Sequence, residues 1–155
     1  MLARLIAALL FALALPVTAQ AAGVALKSAV FVEKTEVAPD GRQRVVLHEP
    51  SLVTPGDRLV FVLSYRNDGT KPADRFVVTN PVPAAVAYQG MADRAAQVSV
   101  DGGRNWGELA TMTIRDGSGV NRPARGEDVT HIRWTFGKAI APGAQGKLSF
   151  RGVVR

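Results

Sequence analysis

An all-β fold, a sandwich or a barrel of about nine short strands, is the architecture this sequence predicts, and three observations carry it. Apolar and polar residues alternate with period two over many short stretches, and no stretch after the first 23 residues sustains a helical period. Gly, Pro and Asp separate those stretches with turn chemistry. The chain has 155 residues, 47% of them hydrophobic and 21% charged, with 15 Gly and 9 Pro. That is one domain with a short appendage, and only packing or closure buries so many one-sided strands.

The appendage comes first. Met1 to Arg4 carry one positive charge, and Leu5 to Leu15 form an apolar run too short to cross a bilayer of about 30 Å as a stable helix. Pro16 breaks the run, and Ala19-Gln20-Ala21 places small residues where a signal peptidase inspects them. Residues 1–21 therefore read as a secretory signal peptide and 22–155 as the exported domain, with cleavage after Ala19 as the alternative. Removing the leader takes away only Arg4, so the net charge of +6 falls to +5. Such a charge suits an anionic envelope surface and also plain solubility. The chain has no cysteine, which excludes disulfides, thiolate metal sites, a Cys nucleophile and lipidation at Cys.

Leu26 to Val37 and Arg42 to His48 are β-rich runs joined by Ala38-Pro39-Asp40-Gly41, where Pro presets one turn angle and Gly accepts the left-handed one; this predicts a hairpin. The clearest strand is Leu59 to Arg66, with Leu59, Phe61, Leu63 and Tyr65 on one face and Val60, Val62, Ser64 and Arg66 on the other. Pro55-Gly56-Asp57 precedes it, and Asn67-Asp68-Gly69 follows it with residues that tolerate positive φ. Arg75 to Thr79, Val86 to Tyr88, Ala96 to Val100, Leu109 to Ile114, Val129 to Phe136 and Lys147 to Val154 complete the strands. Neither proline of Pro81-Val82-Pro83 donates an N–H, so that segment is expected to cross between sheets at the surface. Phe61, Leu63, Tyr65, Val77, Ile132, Trp134, Phe136, Leu148 and Phe150 form the expected core, with His131 and Arg133 facing out.

No catalytic constellation emerges. His48 and His131 stand outside H-E-x-x-H, H-x-H and G-x-S-x-G contexts, so His48 reads as an edge residue and His131 as a solvated one. A triad of His131 with Ser64 or Ser149 is compatible with the sequence, but no spacing marks an activated nucleophile. Asp116-Gly117-Ser118-Gly119 lacks the Lys-Ser/Thr ending of a phosphate loop. No metal set and no cofactor motif is found. Ser99-Val100-Asp101-Gly102-Gly103-Arg104-Asn105-Trp106 resembles the Asp-box hairpin of sialidases and other propellers, with Asn105 in place of Thr. It reads as a structural turn, because one carboxylate is too few for calcium and one blade makes no propeller.

The order Pro55-Gly56-Asp57, then Phe61, Leu63 and Tyr65, then Asn67-Asp68-Gly69, Pro72-Ala73 and Val77-Val78-Thr79-Asn80-Pro81-Val82-Pro83 resembles a bacterial conserved-repeat module, the family catalogued as domain of unknown function eleven. Trp134, Ala141-Pro142-Gly143 and the last strand Lys147 to Val154 look like that family's closing hairpin. The resemblance spans about Lys27 to Arg155, in a single copy. It implies an immunoglobulin-like antiparallel β-sandwich of about seven to nine strands in an envelope setting, and it names no ligand.

The expected function is an exported, non-enzymatic cell-envelope module, periplasmic or secreted, acting through surface or edge-strand contacts. The rival is a small periplasmic ligand-binding protein or hydrolase with its site on the sandwich loops. The expected contacts are a terminal edge strand, guarded by Lys27, Lys34, Lys147 and Arg151, and the 116–128 loop, whose binding candidates are Arg115, Arg122 and Arg125. The expected partner is an envelope protein or an anionic envelope polymer. Nucleic acid is not expected, because export separates the chain from it and the aromatics do not interleave with the charges. No membrane span is expected once the leader is removed.

Overall fold

The computed structural model describes residues 23–91 and 96–155; the leader segment lies outside the described residues. Among the described residues ten strands follow in order: β1 Val24–Val37, β2 Gln43–His48, β3 Arg58–Asn67, β4 Val77–Pro81, β5 Val86–Met91, β6 Ala96–Ser99, β7 Thr113–Arg115, β8 Asn121–Pro123, β9 His131–Thr135 and β10 Gln145–Val154. Eight of them make two antiparallel layers, a five-stranded sheet ordered β2-β1-β3-β10-β5 and a three-stranded sheet ordered β4-β9-β6, while β7 and β8 form a small hairpin. The sheets do not close on one another, so the fold is a sandwich rather than a barrel. Among the described residues no helix is long and apolar enough to cross a membrane.

Strand pleating explains the core. In β3 the odd residues Leu59, Phe61 and Leu63 point between the sheets, and across the ladder they meet Val32 from β1 and Leu148 and Phe150 from β10. Phe61 and Phe150 stack with ring centroids 4.4 Å apart. From the opposite sheet Val78, Val98, Ile132 and Trp134 close the core, and Trp134 reaches Phe150 at 6.3 Å. Tyr65 and Phe136, expected inside, are half-buried at the core margin, edge to face at 5.0 Å. Val60, on the outer face, is also buried, opposite Phe31 and Arg151, while Arg151 bonds Glu33 at 3.1 Å.

The hairpin of β1 and β2 forms as the turn residues predict. Gly41 has φ +78°, its N–H donates to the Ala38 carbonyl at 2.8 Å, and the Ala38 N–H donates to the Arg42 carbonyl at 2.8 Å. Pro81-Val82-Pro83 carries the chain from the three-stranded to the five-stranded sheet with both prolines exposed, although Val82 itself is buried.

Several expectations are corrected. Val77 is 39% exposed, and Phe76 and Val78 take the inward positions instead. Pairing decides this phase, since Val78 stands opposite Trp134 and Val77 opposite Thr135. Arg75 adopts φ +50°, a left-handed conformation outside any strand, so β4 starts at Val77 rather than Arg75. Asn67 and Gly69 do not use positive φ; the Asn67 side chain holds that turn. Leu109 to Ile114 is split into a 3-10 turn, Leu109–Thr111, and the short strand β7. The 116–128 segment is no simple loop, because it contains β8 and a second 3-10 turn, Gly126–Asp128, packed on β5. Finally, the last strand is no edge. β10 lies between β3 and β5, while β1 has β3 along Val24–Glu33 and β2 only along Val32–Val37, so each end of β1 is open on one side, its first part on the side away from β3 and Lys34–Val37 on the side away from β2.

Candidate functional site

Two of the three arginines singled out by the sequence, Arg115 and Arg122, are held by hydrogen bonds in and beside the hairpin of β7 and β8. In β7 and β8, Ile114 stands opposite Arg122 and Arg115 opposite Asn121, so pleating sends Arg115 and Arg122 to opposite faces. Arg122 forks onto Asp128, with Nη1 to Oδ2 at 2.8 Å and Nη2 to Oδ1 at 2.9 Å. That hydrogen-bonded guanidinium lowers the Asp128 carboxyl, and Asp128 in turn raises Arg122. Arg115 donates its Nε to the Gly119 carbonyl at 2.9 Å. Arg125 is exposed, and its backbone N–H donates to Asp128 Oδ2 at 2.7 Å. Asp116 accepts from the Ser118 hydroxyl and amide and from the Val120 N–H, and the Ser118 hydroxyl contributes most to lowering its carboxyl. Two of the three arginines thus serve the hairpin's own geometry.

The Asp-box segment is a structural turn. Asp101 Oδ1 accepts from the Ser99 hydroxyl at 2.7 Å and from the Arg104 and Asn105 N–H groups, each at 3.0 Å, while Oδ2 accepts from the Asn105 amide at 2.6 Å. Gly102 and Gly103 supply φ +79° and +88°. Trp106 lies beside the turn, and the Arg133 guanidinium sits 4.3 Å from its ring centroid.

These donors, the Asn105 N–H first, then its side-chain amide and the Ser99 hydroxyl, hold the Asp101 carboxyl well below the usual carboxylate range. A folded value below the unfolded one, about 3.9, contributes stability above that pH and loses it as pH falls through the folded value. Asp101→Asn is therefore expected to be less stable than the native chain by a constant margin above about pH 4, with the margin shrinking below it. Denaturant titrations of both chains across pH check this; a margin that grows on acidification contradicts it.

The histidines do not assemble with a nucleophile. His48 Nε2 pairs with Glu36 at 2.7 Å rather than with its neighbour Glu49. His131 is half-buried rather than fully solvated, with Nδ1 3.1 Å from the Thr130 hydroxyl. Ser64 and Ser149 point to the outer face of the five-stranded sheet, whereas His131 lies on the outer face of the other sheet. The core separates them, which excludes the triad. A cleft of about 370 Å³ near β5 and β6, lined among others by Tyr88, Met91, Val98, Glu108 and Leu109, contains neither histidine. Burial raises the Tyr88 phenol there.

A different surface stands out. β1 pairs with β3 only as far as Glu33 opposite Arg58, so Lys34–Val37 and most of β2 overhang the sheet as a two-stranded arm. On one face of the arm Val37 is 70%, Val45 60% and Leu47 46% exposed, and Leu52 and Val53 are exposed just beyond. Sequence reasoning did not single out these residues. The available signal was Val45-Val46-Leu47, apolar on both parities, because a strand with a core on one side must expose one of them.

In comparisons with protein-family models, curated proteins and solved structures, the chain matches none of them.

Proposed function

We propose that the chain is an exported, non-enzymatic module of the bacterial cell envelope, an immunoglobulin-like sandwich that works through protein contacts, and that the arm of β1 and β2 is its contact surface. One observation carries the reading: of the seven exposed large hydrophobic residues among the described ones, Val37, Val45, Leu47, Leu52 and Val53 are concentrated in the arm and the segment after it. Exposed apolar side chains gathered in one place favour association, because contact removes their surface from water. The leader-like start of the chain and the ordered turn residues shared with envelope modules support the setting. An anionic polymer is a weaker match, since Arg122 is already paired with Asp128.

Photo-crosslinking in the native host tests the proposal. A photoreactive residue at Val45 is expected to give discrete protein adducts in the envelope or medium, and one at Thr135, exposed on the other sheet, is expected to give none. Equal labelling at both positions, or no adduct at Val45, overturns it.

A further inference from the structure

The arm has a free edge as well as an apolar face. In the ladder of β1 and β2, the Ala38 N–H bonds the Arg42 carbonyl, so the hydrogen-bonded pairs continue at Glu36 with Arg44, Lys34 with Val46 and Val32 with His48. The backbone N–H and C=O groups of Gln43, Val45 and Leu47 consequently point away from β1. Among the described residues no strand pairs with that side of β2, which is the end of the sheet order. The strand has no Pro, Gly or Lys to discourage pairing. The opposite edge of the sheet is treated differently, since Gly126 presses so closely on the Tyr88 carbonyl that a side chain there has no room.

We propose that this edge joins a second copy of the same chain, β2 against β2, antiparallel about a two-fold axis through Val46. The inference rests on the arm being the contact surface and adds the occupant. A two-fold perpendicular to the sheet keeps each face on its own side, so only residues of equal parity stand opposite one another. Centring on Val46 places Val45 against the second copy's Leu47 and Val46 against itself. Gln43 then faces the second copy's Glu49, as an amide donor to a carboxylate, and Arg44 faces His48.

The arrangement puts no two formal charges of like sign directly opposite. It brings the exposed apolar residues Val45 and Leu47 of the two copies together and satisfies the outward backbone groups of both. Centring on Val45 instead sets Leu47 against Gln43 and Val46 against Arg44, which wastes the apolar match. The strand reads alike from either end around Val46, and this self-complementarity identifies the occupant. A ladder this short buries less than a standard interface, so the dimer is weak and concentration-dependent.

Sedimentation equilibrium of the exported chain tests the pairing. The weight-average mass is expected to rise from one chain toward two between about 10 µM and 1 mM. Gln43→Lys, which faces Glu49 of the second copy, is expected to tighten association about three- to tenfold at low salt, and Gln43→Glu to weaken it by a similar factor. Val45→Lys is expected to weaken it tenfold or more. Both positions of substitution are exposed, so circular dichroism and melting of the monomer should be unchanged. A monomer at every concentration, or equal effects of Gln43→Lys and Gln43→Glu, overturns the pairing. Crosslinks at Val45 to other envelope proteins, with the chain still monomeric, leave the contact surface standing and overturn the second copy as its occupant.

Discussion

Trp134→Ala is expected to cost the fold about 3–5 kcal/mol, the range for deleting a large aromatic side chain from a packed core. The indole is 1% exposed on the central strand of the three-stranded sheet and reaches across the core to Phe150. The backbone around it is tied into ladders on both sides, to Val78 and to Ala96, so the cavity has little freedom to collapse. Its Nε1 has no hydrogen-bond partner among the described residues. Trp134→Phe removes that unsatisfied donor along with part of the ring, so it is expected to lose at least about 2 kcal/mol less than the alanine variant. Urea titration with a constant m-value checks both; a loss below about 1 kcal/mol for Trp134→Ala would remove Trp134 from the core.

The second large effect is expected at Asn67, which is fully buried and polar. Its Nδ2 donates to the Lys71 carbonyl at 2.9 Å and the Ile140 carbonyl at 2.7 Å, and its Oδ1 accepts from the Gly69 N–H at 3.0 Å. One amide thereby ties the exit of β3 to the segment that leads into β10. Asn67→Asp keeps the shape but turns two donated bonds into oxygen facing oxygen, with a charge that has no partner. The expected loss is about 3–5 kcal/mol near neutral pH, as for other uncompensated buried charges. Burial raises the introduced carboxyl in the folded state, so the deficit should shrink as pH falls toward about 4, where the unfolded chain also takes up the proton. Chemical denaturation at several pH values measures this. A neutral substitution at pH 7 would mean that the amide is replaceable.

Much of the fold was legible because its signals are local. In β3 four alternating residues and two flanking turns set strand and phase together, and in the hairpin of β1 and β2 a Pro and a Gly determine where the chain reverses. The Asp-box turn was legible for the same reason, since Ser99, Asp101 and the two glycines meet within a few residues. The site was much less legible. Arg115, Arg122 and Arg125 drew attention as neighbours in sequence, but pleating divides Arg115 from Arg122, and Asp128 claims Arg122. The exposed row Val37, Val45 and Leu47 was missed, because hydrophobicity alone does not say which side of a strand lacks a partner.

By itself the sequence determined the all-β class, the main turns and the inward phase wherever one parity was clearly more apolar, as at Phe61, Leu63, Ile132 and Trp134. Those choices follow from backbone sterics and from burial of one face, both of which act over a few residues. Tertiary structure alone decided the phase of Phe76-Val77-Val78, where all three residues are apolar and only the pairing of Val78 with Trp134 selects between faces. It likewise placed the final strand inside the sheet and left β2 at the edge. Strand order is set by which ladders form between segments far apart in the chain, and no local pattern encodes a neighbour about 90 residues away, as Phe61 is from Phe150.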